Sequence, residues 1–167
     1  MSPRKMKLTA KQKEKLLRNI WLLHDGRWFL KSTMLIGFDV ATKLNLDVVE
    51  SIAKTEMKQL IAETGFGDIK NIEDLKELIE LAGPLYFPPE HKYEIKVIDE
   101  NTLLGRVLEC YVYQMVSKAG TTGIHQCAAR LRFDSWMKGL SLKGEVVNEK
   151  NTNNCGSTCD IFFKVKW

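Results

Sequence analysis

Four cysteines, all in the second half of the chain, have the residue type and spacing of a metal site. They are Cys110, Cys127, Cys155 and Cys159, so two single thiols precede a close pair that encloses Gly-Ser-Thr. Closed thiolate sites are usually assembled from separate segments in this way. Thiolate ligands at about 2.3 Å suit zinc, with iron as the alternative. We therefore expect these four residues to bind a metal.

Other interpretations of the cysteines stay open. Cysteine is among the most buried residue types even when it binds nothing, so four unrelated core thiols are the plain alternative. His125, two residues before Cys127, could replace one thiolate in a site of three cysteines and one histidine. The chain starts with a polar, basic segment and no apolar leader, so we expect a cytoplasmic protein with reduced thiols.

A second candidate site combines His24 and Glu56. Trp21, His24 and Trp28 recur at spacings of three and four residues, which places them on one helical stripe. Glu56 is the lone carboxylate on the apolar stripe of the next long helix, and burial would require a cationic partner or hydrogen-bond donors. We expect His24 or Arg27 to meet it in a ligand pocket lined by Trp21, His24, Trp28 and Glu56, where proton transfer is feasible. A hydrogen-bonded core histidine stays the alternative for His24.

Composition and missing motifs disfavour several classes of protein. No apolar run reaches the length of a membrane span. The net charge of +4 is modest, and its basic residues gather near the start without interleaved aromatics, which does not indicate nucleic-acid binding. Neither a glycine-flanked serine nor a phosphate-binding loop occurs. The pair His24-Asp25 lacks the further histidines and aspartates of a metal phosphohydrolase.

Helical signals fill the first half of the chain. Thr9 is a candidate N-cap for the first helix. Asp47 and Glu50 match a capping box for the second, after a turn at residues 39–44, and a glycine ends that helix. The predicted helices run from Thr9 to about Leu35, from Asp47 to Gly65 or Gly67, and from Ile72 to Leu81, before Gly83-Pro84.

Strand signals follow Gly83. Apolar and charged residues alternate through Tyr93–Val97, and a tight turn leads to a partner strand that ends next to Cys110. The predicted elements are strands at Tyr93–Val97 and Leu103–Glu109, a helix at Cys127–Leu140, and strands at Lys143–Glu149 and Asp160–Trp167, with a polar turn at residues 150–154. The expected class is α+β: a helical segment, residues 1–83, followed by a small antiparallel sheet with a packed helix, residues 84–167, as one compact unit.

The order of these features resembles a known family. The segment Trp21–Phe29, a helix that holds Glu56, a hairpin ending at Cys110 and a final cysteine pair are similar to bacterial and archaeal proteins related to L-2-amino-thiazoline-4-carboxylic acid hydrolase. The second half more distantly resembles the vinyl-4-reductase domain, an α+β module that senses hydrocarbons or tetrapyrrole-like ligands. Three cysteines and a glutamate hold zinc in that domain, so the resemblance implies as ligands Cys127, Glu149 or Glu145, Cys155 and Cys159.

Two functions follow from the resemblance. One is a metal-binding protein, with zinc, that holds a small organic ligand in a pocket between helices and sheet. The alternative is a hydrolase of a cyclic C–N bond, with a substrate like L-2-amino-thiazoline-4-carboxylate and with His24 and Glu56 as acid and base. A fully thiolate site leaves no open position for water, which favours binding. The expected partner is a small-molecule ligand, without membrane or nucleic acid, and a homodimer stays open.

Overall fold

The computed structural model describes residues 7–149 and 156–167. The elements in this part of the chain are α1 (Ala10–Ile36), α2 (Phe38–Thr64), α3 (Ile72–Tyr86), β1 (Lys92–Asp99), β2 (Thr102–Glu109), α4 (Tyr111–Lys118), α5 (Ala129–Gly139), β3 (Lys143–Asn148) and β4 (Cys159–Lys166). The chain divides into two units, residues 1–45 and residues 46–167. None of the helices described is long and apolar enough to cross a membrane. The α+β class predicted from the sequence is confirmed.

The first helix begins where the sequence predicts. The Thr9 side chain accepts a hydrogen bond from the Gln12 amide at 3.2 Å, and the Gln12 side chain accepts one from the Thr9 amide at 2.9 Å. This reciprocal pair satisfies two backbone donors that the first turn would otherwise leave unpaired. Gly37, with φ of +83°, ends α1, because that backbone conformation is open to glycine and strained for other residues.

The second helix begins earlier than predicted. The turn expected at residues 39–44 is helical, and Asp47 is an interior residue of α2 rather than its N-cap. The Ala41 amide donates to the Gly37 carbonyl at 3.1 Å, so the glycine already supplies the break between helices. Glu50 then pairs with Lys54 at 3.0 Å, one turn further on. The end at Gly65 is as predicted, with φ of +66°.

The third helix continues past its predicted end at Leu81. Asn71 caps it by accepting from the Asp74 amide at 3.0 Å. Pro84 lies inside the last turn, where it removes a single backbone donor and does not stop the helix. The Phe87 amide closes that turn on the Gly83 carbonyl at 2.9 Å. The face of α3 that packs on the sheet buries Ile72, Leu75, Leu78, Ile79, Ala82 and Gly83.

The sheet of unit 2 has four antiparallel strands in the order β1-β2-β4-β3. The four strands and α5 confirm the predicted elements to within a few residues at each end, whereas α4 was not predicted. The register places Tyr93, Val107 and Cys159 in one row across β1, β2 and β4. Helices α3 and α5 cover the face of the sheet that carries this row and the buried Phe163. The predicted turn at residues 150–154 lies outside the described part of the chain.

Tyr93 packs directly on the backbone of α3 at Gly83. A methyl group added at Gly83 would lie 1.7 Å from the Tyr93 hydroxyl oxygen. Overpacking costs about 1–3 kcal/mol, and alanine gains about 1 kcal/mol over glycine in a helix. We therefore expect Gly83→Ala to lower the free energy of unfolding by up to about 2 kcal/mol, measured by denaturant unfolding.

Gly26→Ala is the matched control, because Gly26 lies inside α1 and an added methyl group would meet no atom within 4 Å. This variant should gain about 1 kcal/mol from helix propensity. Equal gains at the two positions would contradict the close packing of Tyr93 on α3.

Candidate functional site

Aromatic rings from distant parts of the sequence meet where α3, α5 and the sheet come together in unit 2. Phe87 is at the centre of this cluster. Its ring centroid lies 4.9 Å from that of His91, 6.2 Å from that of Phe133 and 6.1 Å from that of Trp136. Phe133 extends the cluster to Phe163 of β4, at 5.3 Å. Edge-on and tilted rings at these distances attract one another beyond their burial alone.

A cavity of about 30 Å³, here called the aromatic cavity, is lined by the rings of Phe87, His91, Phe133 and Phe163. Its lining includes the buried Ile79, Val107 and Phe163, here called the floor, and the half-buried Phe87 and His91, here called the mouth. The volume is close to the share of one molecule in liquid water, roughly 30 Å³. An organic ligand can therefore enter only when side chains at the mouth turn aside.

Two of the residues that line the aromatic cavity, His91 and Tyr93, carry polar groups. Nδ1 of His91 accepts a hydrogen bond from the Tyr111 amide at 3.3 Å. A neutral imidazole that accepts at Nδ1 carries its proton on Nε2, which leaves a donor for a ligand. Burial, with a smaller contribution from the negative charge of Glu80, raises the pKa of the Tyr93 phenol. That hydroxyl therefore stays protonated at neutral pH and can donate a hydrogen bond.

Prolines position the mouth of the cavity. Phe87 ends α3, and the next two residues, Pro88 and Pro89, have a fixed φ and no amide donor. The His91 amide then donates to the Pro88 carbonyl at 2.9 Å, which closes a turn and starts β1 at Lys92. This turn brings His91 back over Phe87, where the two rings stack with an interplanar angle of 25°.

Glu56 ties three helices together beside the cluster. Its carboxylate accepts from Arg132 Nη1 and from Trp136 Nε1, each at 2.7 Å. Its backbone carbonyl accepts from the Tyr86 hydroxyl at 2.8 Å. Glu56 is 7% exposed, and a carboxylate this buried needs both a cation and a donor. The cation that this burial requires is Arg132 of α5, a residue that was not predicted as its partner.

The predicted ligand-pocket residues fall in different units. Trp21, His24 and Trp28 lie on α1 in unit 1 and are exposed, with the Trp21 and His24 rings stacked at 6.1 Å. The alternative that made His24 a hydrogen-bonded core residue is wrong, because the side chain is exposed. Glu56 lies in unit 2 with the partners given above. A catalytic role for His24 and Glu56 stays a prediction.

Two of the predicted metal ligands lie at the same end of neighbouring strands. Cys110 caps α4, with its sulfur accepting from the Tyr113 amide at 3.5 Å. Its own amide donates to the Ser157 carbonyl at 2.9 Å, two residues before Cys159. Cys159 begins β4 opposite Val107. Cys110, Cys127 and Cys159 are all half-buried, and Cys155 lies outside the described residues.

The alternative ligands differ in their surroundings. His125 Nε2 is buried and has no hydrogen-bond partner among the residues described. Burial lowers the pKa of His125, and the nearby Cys110 opposes that shift. Glu145 and Glu149 are exposed. Within residues 7–149 and 156–167, no three His, Cys, Asp or Glu side chains are grouped closely enough to hold a metal. The four-cysteine site, which needs Cys155, stays a prediction.

Comparison with known proteins supports the fold but neither resemblance. No family model matches the chain, and no curated protein does. Three solved chains match. One is a trafficking protein particle complex subunit 3 from Naegleria fowleri covalently bound to palmitic acid. The two structures superpose with a TM-score of 0.58 and share 10% sequence identity, and the match covers 92% of this chain and 97% of that chain. It is named for neither the hydrolase family nor the vinyl-4-reductase domain, so the similarity shows the α+β fold alone.

The sequence did not predict the aromatic cavity. Its residues come from α3, the proline turn, three strands and α5, and no spacing rule connects them. One signal was present: Phe87, His91 and Tyr93 lie close together around Pro88-Pro89. Aromatic residues at a rigid turn before a strand favour a shared contact surface.

Glu56→Gln should destabilise unit 2 strongly. Glutamine keeps one acceptor, but its NH₂ group would face a second donor, either Arg132 or Trp136. Breaking a buried ion pair from one side costs about 3–5 kcal/mol, so we expect a loss of at least about 2 kcal/mol in denaturant unfolding. Glu50→Gln is the control, because its pair with Lys54 is far more open to solvent and solvent screening leaves such a pair little effect on stability. Similar small losses in both variants would contradict the role assigned to Glu56.

The metal prediction is tested by composition and melting. If the four thiolates converge, purified protein should carry about one zinc or iron per chain, and Cys155→Ser or Cys159→Ser should remove it and lower the melting temperature. His125→Gln and Glu149→Gln should keep the metal if all four ligands are cysteines. A metal-free protein whose melting temperature does not respond to the cysteine substitutions would contradict this site.

Proposed function

We propose that the chain binds a small, mainly apolar organic ligand in the aromatic cavity, with zinc at the four cysteines as a structural support. The observation that carries the proposal is the cluster of rings around a cavity with a fixed floor and a half-buried mouth. Ligand pockets are typically apolar and aromatic, with a few polar groups that set orientation. His91 and Tyr93 are suited to orient a ligand through hydrogen bonds.

The geometry favours a flat or slender ligand. The cavity of about 30 Å³ is far smaller than a drug-sized site of roughly 300–1,000 Å³, so binding requires Phe87 and His91 to separate from Phe133. Val107 and Phe163 are buried in the paired β2 and β4 strands and stay in place. A ligand inserted between the rings replaces ring contacts with contacts of the same kind, which lowers the cost of opening.

The structural neighbour gives independent support for an apolar ligand. That trafficking complex subunit is covalently bound to palmitic acid in its crystal structure. A fold of this type is therefore compatible with an apolar ligand. The proposal for this chain is limited to the chemistry of its own cavity: an apolar body and one or two groups able to accept hydrogen bonds from His91 or Tyr93.

No specific observation favours the alternative function, hydrolysis of a cyclic C–N bond. Both Glu56 oxygens already accept hydrogen bonds, from Arg132 and Trp136. His24 lies on α1 in unit 1. That function stays a prediction from resemblance alone.

Binding of the uncharged fluorescent probe N-phenyl-1-naphthylamine tests the proposal. Val107→Ile adds one methylene group at the cavity floor, which narrows the cavity, and keeps a β-branched residue in the strand. We expect this variant to fold normally and to weaken probe binding at least about tenfold. The readout is the titration of probe fluorescence with full-length protein.

Two controls separate cavity binding from other effects. Val165→Ile makes the same change at another buried position of the sheet and should leave affinity unchanged. Trp21→Ala removes an exposed ring from α1 and tests whether the probe binds that helix instead. Affinity that is lost in Trp21→Ala and kept in Val107→Ile would overturn the proposal.

A further inference from the structure

Helix α1 exposes many large apolar side chains. Within this helix, which is described from end to end, no residue is buried. Ten of its large apolar side chains are more than two-fifths exposed: Leu16, Leu17, Ile20, Trp21, Leu23, Trp28, Leu30, Met34, Leu35 and Ile36. A helix with apolar residues over most of its circumference is normally covered by another element.

Six positions of α1 repeat as a heptad. They follow one another at spacings of four, three, four, three and four residues: Leu16, Ile20, Leu23, Arg27, Leu30 and Met34, here called the α1 stripe. Five of the six are apolar and exposed. This repeat is typical of a seam that packs against another helix by knobs into holes.

The exposed area matches what a dimer needs. At the observed exposures, the five apolar residues of the α1 stripe contribute roughly 100 Å² each, or about 500 Å² on one copy and about 1,000 Å² on two. A biological interface is expected to bury at least about 1,000 Å² in total. Two α1 stripes therefore offer enough apolar surface for a small interface.

Charge sets the direction of pairing. Residues 11–18 carry four of the six lysines and arginines of α1, with Glu14 as the single acidic residue of that segment. Parallel pairing would place two such segments side by side, where like charges repel. Antiparallel pairing avoids this repulsion, because the basic segment then lies beside the end of the other helix, residues 32–36, which carry no charged side chain.

We propose that two copies of this chain associate through an antiparallel pair of α1 helices, with the α1 stripe as the seam. The heptad has one register in which every stripe residue meets another stripe residue: Leu16 opposite Met34, Ile20 opposite Leu30, and Leu23 opposite Arg27. Arg27 is the polar residue that fixes this register at some cost in affinity, as polar seam residues do in coiled coils. The pairing involves unit 1 and is independent of the aromatic cavity.

The test is the mass of the full-length chain in sedimentation equilibrium at micromolar concentration. We expect a species of twice 19.2 kDa. Ile20→Asp and Leu30→Lys, each alone, should weaken association at least about 100-fold, because each places an unpaired charge in the seam. Both positions are exposed, so each chain should fold as before. Ile98→Asp, at an exposed position of β1, is the control and should leave the mass unchanged.

Mixing the two variants tests direction and register together. In the antiparallel register, the carboxylate introduced at position 20 of one chain meets the ammonium group introduced at position 30 of the other, and the second Ile20–Leu30 contact stays intact. An equimolar mixture should therefore regain the dimer mass, and Arg27→Leu should tighten the wild-type dimer. A monomeric wild type, a dimer indifferent to Ile20→Asp, or a mixture that stays monomeric would overturn the proposal, as would binding of α1 to lipid vesicles by a chain that stays monomeric.

Discussion

The buried carboxylate of Glu56 is the constraint on which the rest of unit 2 depends. A charged group 7% exposed is tolerated only where a cation and hydrogen-bond donors are held against it. Arg132 and Trp136 supply these from α5, and Tyr86 of α3 donates to the Glu56 carbonyl. Because the donors come from separate helices, α2, α3 and α5 have to assume one arrangement. A shift of α5 against α2 would leave the buried charge unpaired, and a shift of α3 would break the Tyr86 hydrogen bond.

The aromatic cavity follows from that arrangement. Trp136 donates to Glu56 with its indole nitrogen and contacts Phe133 and Phe87 with its ring, at centroid distances of 5.0 and 6.1 Å. The ion pair thus fixes one wall of the cavity, while the sheet fixes the floor. The mouth residues Phe87 and His91 flank the proline turn and are more exposed than the floor, so we expect the cavity to open at this side. A buried floor with an opening at the more exposed side suits reversible binding of a small ligand.

Local signals predicted the elements well where local chemistry decides them. The Thr9 cap and the alternating strands are set by neighbouring residues, and the structure confirms both. The cap predicted at Asp47 is wrong, because Gly37 already separates α1 from α2. Helix α3 continues through Pro84, because a proline in its last turn removes only one backbone amide donor. The need of Glu56 for a cation could be predicted, but not its identity. Arg132 comes from a helix 76 residues away, and only tertiary packing brings it there.

The most direct test of the proposed ligand site is a crystal structure of the protein soaked with N-phenyl-1-naphthylamine. We expect density for the probe among Phe87, His91 and Phe133, with the two mouth rings turned aside and Glu56 still bonded to Arg132 and Trp136. Density for the probe only on α1, with the aromatic cavity unchanged, would contradict ligand binding in the cavity.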